Sequence, residues 1–164
     1  MKVYPCGYSI HSAQIAALMG ADPTLLLIDL RKNPDSRIGA WKQPSLLEVY
    51  GERYRWFGET LGNLHYKTGG PITLVNPEPG IASLADLLRQ GYNLLPFCGC
   101  ASYETCHRRK VIDLLRLCVP DIEVIQPDQV EHLGTAKYLS IRQLPLFGPE
   151  QEPAGQGLAQ NRRE

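Results

Sequence analysis

The chain lacks several features whose absence narrows its class. It has no charge imbalance: 17 lysines and arginines meet 17 aspartates and glutamates in 164 residues. No global field therefore draws it to nucleic acid or to an acidic membrane, and such a partner must be met by a local patch. No apolar run approaches the ~18 residues of a membrane span, and the first residues lack the apolar core of a signal peptide. No membrane partner is expected. Nor is there a disulfide framework, because the five cysteines are odd in number and clustered instead of framing loops. That pattern predicts free thiols in a reducing cytoplasm.

What is present is ordinary globular composition, 43% hydrophobic and 21% charged, at a length that builds one core without staples. The expected division is a single α/β domain over 1–135 and an extended or disordered tail over 136–164. The end of that tail, from Gly148 on, is rich in Gly, Pro, Gln and charge, a composition that cannot bury enough apolar surface to order itself.

The elements follow from periodicity. Lys2 to Cys6 alternates and reads as a first strand, and Gly7-Tyr8-Ser9 breaks it. A helix follows from Ser12 to Met19, with Ile15, Leu18 and Met19 on one face, Ser12 as its cap and Gly20 as its stop. Leu25 to Ile28 is continuously apolar, as in a strand buried on both faces of a parallel sheet. Asp29 and Arg31 come directly after it and share a side by alternation. Pro44 to Tyr50 reads as a helix, Arg53 to Phe57 as a strand, and Asn63 to Pro79 as a long loop carrying His65, Tyr66 and Lys67. Ile81, Leu84, Leu87 and Leu88 mark a helix before the strand Asn93–Phe97. Val111, Ile112, Leu114, Leu115 and Leu117 give the next helix, Thr105–Cys118, a broad apolar stripe on which Cys118 is expected to be core. A last strand covers Ile122 to Ile125. The alternation predicts an α/β fold: a three-layer sandwich around a mainly parallel sheet, Rossmann-like, with right-handed crossovers and a flexible C-terminal tail.

One stretch concentrates the chemistry, Phe97-Cys98-Gly99-Cys100-Ala101-Ser102-Tyr103-Glu104-Thr105-Cys106-His107-Arg108-Arg109. It joins a strand to a helix, and ligands of α/β proteins lie beyond the carboxyl ends of strands. A helix start attracts anions and favours a thiolate, the more so beside a cation. Three readings are open. The cysteines can be small buried hydrophobes with solvated arginines behind them. Cys98, Cys100, Cys106 and His107 can be four zinc ligands. Or the stretch can be a thiol- or anion-handling active site. The spacing speaks against zinc, since it does not follow the familiar paired knuckles and adjacent Cys106 and His107 would point about 100° apart on a helix. No metal and no cofactor are assigned on these grounds.

The apolar-apolar-Cys pattern ending in Cys106-His107-Arg108 resembles the signature of the domain-of-unknown-function 488 family. Gly7-Tyr8-Ser9 is similar to the turn that opens that family, and Asp29-x-Arg31 followed by Pro34-x-Ser36-Arg37 resembles it again. So does Leu61-Gly62, although Asn63 stands where the family has a second glycine. Cys100 departs from the pattern, many members having an acidic residue there. The resemblance implies a fold and a site more than a reaction. Asp29-x-Arg31 also looks loosely like rhodanese-type domains. In the tail, Gln143-Leu144-Pro145-Leu146-Phe147 resembles the pentapeptide by which bacterial repair proteins dock on the sliding clamp, an extended segment anchored by Leu146 and Phe147. Leu139 to Gln143 looks like the opening of an ASCH domain, a module linked to RNA bases.

The expected function is accordingly that of an enzyme or ligand-binding domain acting on a small anion-bearing substrate such as a nucleotide or nucleic-acid base. Arg31, Arg37 and Arg108 would hold the anion, with Gly7 and Tyr8 as further contacts. Asp29 or His107 would move protons, and Cys98 or Cys106 would be nucleophile or structural thiol. Cys106, at the helix start, is expected to be the most reactive thiol. The alternative is a zinc-stabilised interaction module in DNA metabolism, tethered to a sliding clamp through Gln143–Phe147, with nucleic acid as another partner kept open.

Overall fold

A computed structural model of the chain describes residues 1–129. The expected boundary at 135 and the clamp-like segment Gln143–Phe147 lie outside the described residues. A six-stranded sheet runs through the middle: β1 (Lys2–Val3), β2 (Cys6–Gly7), β3 (Leu25–Asp29), β4 (Tyr54–Trp56), β5 (Asn93–Cys98) and β6 (Glu123–Val124). Its order is β4-β3-β5-β1-β6, with β2 also on β5, and every pair is parallel. β1 and β2 are two halves of one strand. The register Val3↔Leu94 and Cys6↔Phe97 sets Pro5 level with Pro96. Neither proline has an N–H to give to the ladder, so the interruption falls where no donor is left stranded.

The helices are α1 (Tyr8–Ala21), α2 (Gln43–Tyr50), α3 (Gly58–Leu61), α4 (Pro77–Arg89) and α5 (His107–Cys118). Alternation along the strands sorts them into two layers. Leu25, Leu27, Leu95 and Phe97 pack against Ile15, Leu18 and Met19 of α1 and Leu46 of α2. Leu26, Ile28 and Leu94 pack on the other face against Ile81, Leu84 and Leu88 of α4 and Val111, Ile112 and Leu115 of α5. The expected α/β sandwich is what the chain builds. The strand after which α5 leaves, β5, lies between β3 and the β1/β2 strand, whose helices leave to the opposite face. Such reversals open a crevice at the carboxyl ends of the strands.

Local departures from the expected elements have physical reasons. The first helix begins at Tyr8, but His11 breaks its geometry (φ −116°, ψ 24°). The regular helix therefore starts at Ser12, as expected, but with His11 in the flanking position expected of Ser12, and it runs through Gly20, the expected stop, to Ala21. Gly51 ends α2 at φ 53°, a left-handed conformation that favours glycine. The stripe of α5 is narrower than expected: Leu117 is 79% exposed. Cys118, expected in the core, is exposed. It ends the helix, its carbonyl accepting a hydrogen bond from Arg89, and Val119 and Ile122 beyond it take the core positions. Among the described residues no helix is long and apolar enough to cross a membrane.

Candidate metal centre

The pairings Gly7↔Cys98 and Asp29↔Phe97 bring the predicted residues to one carboxyl edge of the sheet. They fall on two sides of it. Asp29 follows Leu25 and Leu27 toward α1 and α2, whereas Cys98 follows Leu94 toward α5.

On the α1/α2 side Asp29 is fully buried and saturated. Its Oδ1 accepts from the Arg31 amide at 3.0 Å and from Arg31 Nε at 2.8 Å. Its Oδ2 accepts from Arg31 Nη2 at 2.5 Å and from the Tyr54 hydroxyl at 2.7 Å. Burial and the Asp29 charge push the Tyr54 phenol well above its ordinary value, so it stays a donor. Arg31 also donates to the carbonyls of Trp41 and Pro34, and its guanidinium lies over the rings of Tyr8 and Phe97, 5.5 and 5.2 Å from their centroids. A carboxylate with four donors and an arginine spent on protein acceptors form a structural ion pair. The proton-transfer role expected of Asp29 and the anion-holding role expected of Arg31 are not what this geometry offers. Tyr8 is half-buried, stacked on Trp41 with 4.8 Å between centroids, its hydroxyl 3.3 Å from the Ser36 hydroxyl. Arg37 is exposed and forms no ion pair among the described residues. His65, Tyr66 and Lys67 stay within their own loop, where Lys67 lies over the Tyr66 ring.

The α5 side is different. Cys98, Cys100, Cys106 and His107 bring one donor atom each within 4.8 Å of all the others. Cys98 ends β5, Cys100 sits in the loop, Cys106 caps α5 and His107 opens it. Cys106 has extended geometry (φ −105°, ψ 148°), so it and His107 are not related by a helical turn. The 100° objection to a shared ligand does not hold, because the cap residue lies outside the helix. The Cys98 and Cys106 sulfurs are 3.1 Å apart, and the His107 Nδ1 is 3.7 Å from the Cys106 sulfur. The other ring nitrogen, Nε2, lies 3.0 Å from the Leu30 carbonyl. A carbonyl only accepts, so Nε2 carries the proton and the Nδ1 lone pair faces the sulfurs. This is how a histidine ligand is oriented from behind.

Arg108 is 0% exposed, and among the described residues no carboxylate pairs with it. Its Nε donates to the Cys106 sulfur at 3.2 Å, and its Nη2 to the carbonyls of Cys100 and Ser102 at 2.9 and 3.2 Å. Nη1 is buried without a partner. A buried cation is costly unless a negative charge answers it, and here only sulfur can. The thiols divide accordingly. The sulfurs of Cys100 and Cys98 hold Cys106 far below its ordinary value against the effect of burial. Hydrogen bonds to Cys100 and Cys106, and then burial, push Cys98 up. The Cys106 sulfur likewise pushes Cys100 up. Burial works against the Arg108 charge, but the Cys98 and Cys106 sulfurs outweigh it and keep its value raised.

Gly7, expected as a ligand contact, has a structural task. A Cβ there would meet the Cys100 carbonyl oxygen at 2.1 Å and Arg108 Nη1 at 3.2 Å, so only glycine lets the loop close onto β2. The fifth cysteine, Cys6, is a core thiol, pushed up to about 12 by burial. One contributor was not legible in the sequence: the Leu30 carbonyl is a backbone group with no sequence mark. Cys100 was legible as one of four possible zinc ligands, although it departs from the family pattern.

No family model, no curated protein and no solved structure matches the chain.

Proposed function

We propose that Cys98, Cys100, Cys106 and His107 bind one zinc ion, and that the chain is a zinc-stabilised interaction module. The observation that carries the reading is the convergence of four soft donors within 4.8 Å. A tetrahedron with Zn–S bonds of about 2.3 Å has edges of about 3.8 Å, so small shifts close this set onto a metal. Charge supports it as well. Three thiolates around a divalent ion leave one negative charge, which the buried Arg108 cancels. The ion would pin the carboxyl end of β5 to the start of α5 and give the exposed loop a fixed shape. The resemblance to the domain-of-unknown-function 488 family fits this reading, since Cys98, Cys106, His107 and Arg108 are the residues that carry it. The partner follows from sequence alone: a sliding clamp met through Gln143–Phe147, outside the described residues. A Phe147→Ala chain that binds a bacterial clamp as well as its parent removes that part.

One observation favours a thiol enzyme acting on a small anionic, nucleotide-like substrate as the second reading: the Cys106 sulfur accepts hydrogen bonds from the Arg108 amide and Nε. Against it stand the burial of Cys98 and Cys106, 1% and 2% exposed, which leaves a substrate no approach. Elemental analysis separates the two. We expect about one zinc per chain, with chelation loosening the fold. Metal-free, fully folded protein would favour the thiol enzyme.

A further inference from the structure

The three sulfurs of the centre are not equivalent. Cys98 and Cys106 are buried, and each is hydrogen-bonded by N–H groups. The Cys100 amide donates to the Cys98 sulfur at 3.3 Å. The Arg108 amide and Nε donate to the Cys106 sulfur at 3.5 and 3.2 Å. Each such bond draws charge off a sulfur and lowers its nucleophilicity. Cys100 is exposed, and among the described residues no N–H group donates to its sulfur. Its carbonyl, not its thiol, is what Arg108 holds.

Resting on the zinc reading, we propose that Cys100 is the reactive thiolate of the centre and accepts an alkyl group from soft carbon electrophiles. A metal-bound thiolate stays deprotonated at pH values where a free thiol does not. The Cys100 sulfur attacks the electrophilic carbon, a sulfur–carbon bond forms, and the carbon–leaving-group bond breaks with its electron pair going to the leaving group. No redox change occurs and no proton moves. The product is a thioether, a weaker ligand without charge. The cluster changes from one negative charge to none, and Arg108 loses its counter-charge. The loop that Arg108 holds through the Cys100 and Ser102 carbonyls then has reason to open. The activity is stoichiometric: one alkyl group per chain.

The test uses full-length protein, analysed for zinc and then treated with limiting iodoacetamide at pH 6.5. The modified cysteines are mapped by peptide mass spectrometry. Cys118, exposed and outside the centre, is the internal reference. We expect Cys100 to be alkylated about tenfold faster than Cys118, with Cys98 and Cys106 unmodified and iodide released. Prior chelation should abolish the preference, and a Cys118→Ser chain should leave it intact. If zinc is bound but Cys118 reacts first, or Cys98 and Cys106 react along with Cys100, the proposal is overturned while the metal centre stands. A sample without zinc overturns both.

Discussion

Two sides of one sheet edge carry nearly the same kinds of residue and have opposite character. Toward α1 and α2, Asp29 and Arg31 meet with Tyr54, Trp41 and Pro34, and every carboxylate oxygen has two donors. Toward α5, Arg108 is as deeply buried but, among the described residues, has no carboxylate, keeps one unpartnered nitrogen and leans on sulfur. The first side is closed upon itself. The second carries a buried charge answered only by sulfur, beside four convergent donors. A buried arginine is therefore no marker of function by itself; what it lacks distinguishes the working side.

That contrast can be broken by substitution. The largest effect is expected on the closed side. Asp29→Ala leaves Arg31 buried without its counter-charge, which costs about 3–5 kcal/mol, read by urea denaturation. Zinc per folded chain should not change, and loss of metal in this variant would show the two sides to be one site. On the open side, His107→Ala would remove a proposed ligand, and removing even a group behind a ligand weakens metal binding about 10–100-fold. We expect zinc affinity to fall by at least that much in competition with a chelating dye, whereas unchanged affinity would exclude His107 from the centre. Gly7→Ala sharpens the picture of how the loop closes. Its Cβ would displace the Cys100 carbonyl, an overpacking that costs about 1–3 kcal/mol, with zinc bound more weakly. The smallest effect belongs to Leu117→Lys, on the exposed face of α5. It should shift stability by no more than about 0.5 kcal/mol and leave zinc untouched.

Much of this was legible in the sequence. Continuous apolarity at Leu25–Ile28 marked a strand covered on both faces, and the helical spacing of Ile81, Leu84 and Leu88 marked α4. The stretch Cys98 to Arg108 marked where four donor atoms converge. Sidedness was not legible, because the register that pairs Asp29 with Phe97 and Gly7 with Cys98 depends on long-range pairing. Asp29 and Cys98 consequently looked like parts of one constellation. Cys106 and His107 looked incompatible as joint ligands because the cap geometry of Cys106 is a tertiary outcome. Cys118 looked like core by spacing, which does not say where the helix outlasts its support.

X-ray absorption at the zinc edge of the purified full-length chain tests the central claim most directly. The account predicts three sulfur neighbours at about 2.3 Å and one nitrogen at about 2.0–2.1 Å, with a sulfur lost in Cys106→Ser and the nitrogen lost in His107→Ala. A protein that purifies without zinc, or whose zinc has only light oxygen and nitrogen neighbours, would contradict it.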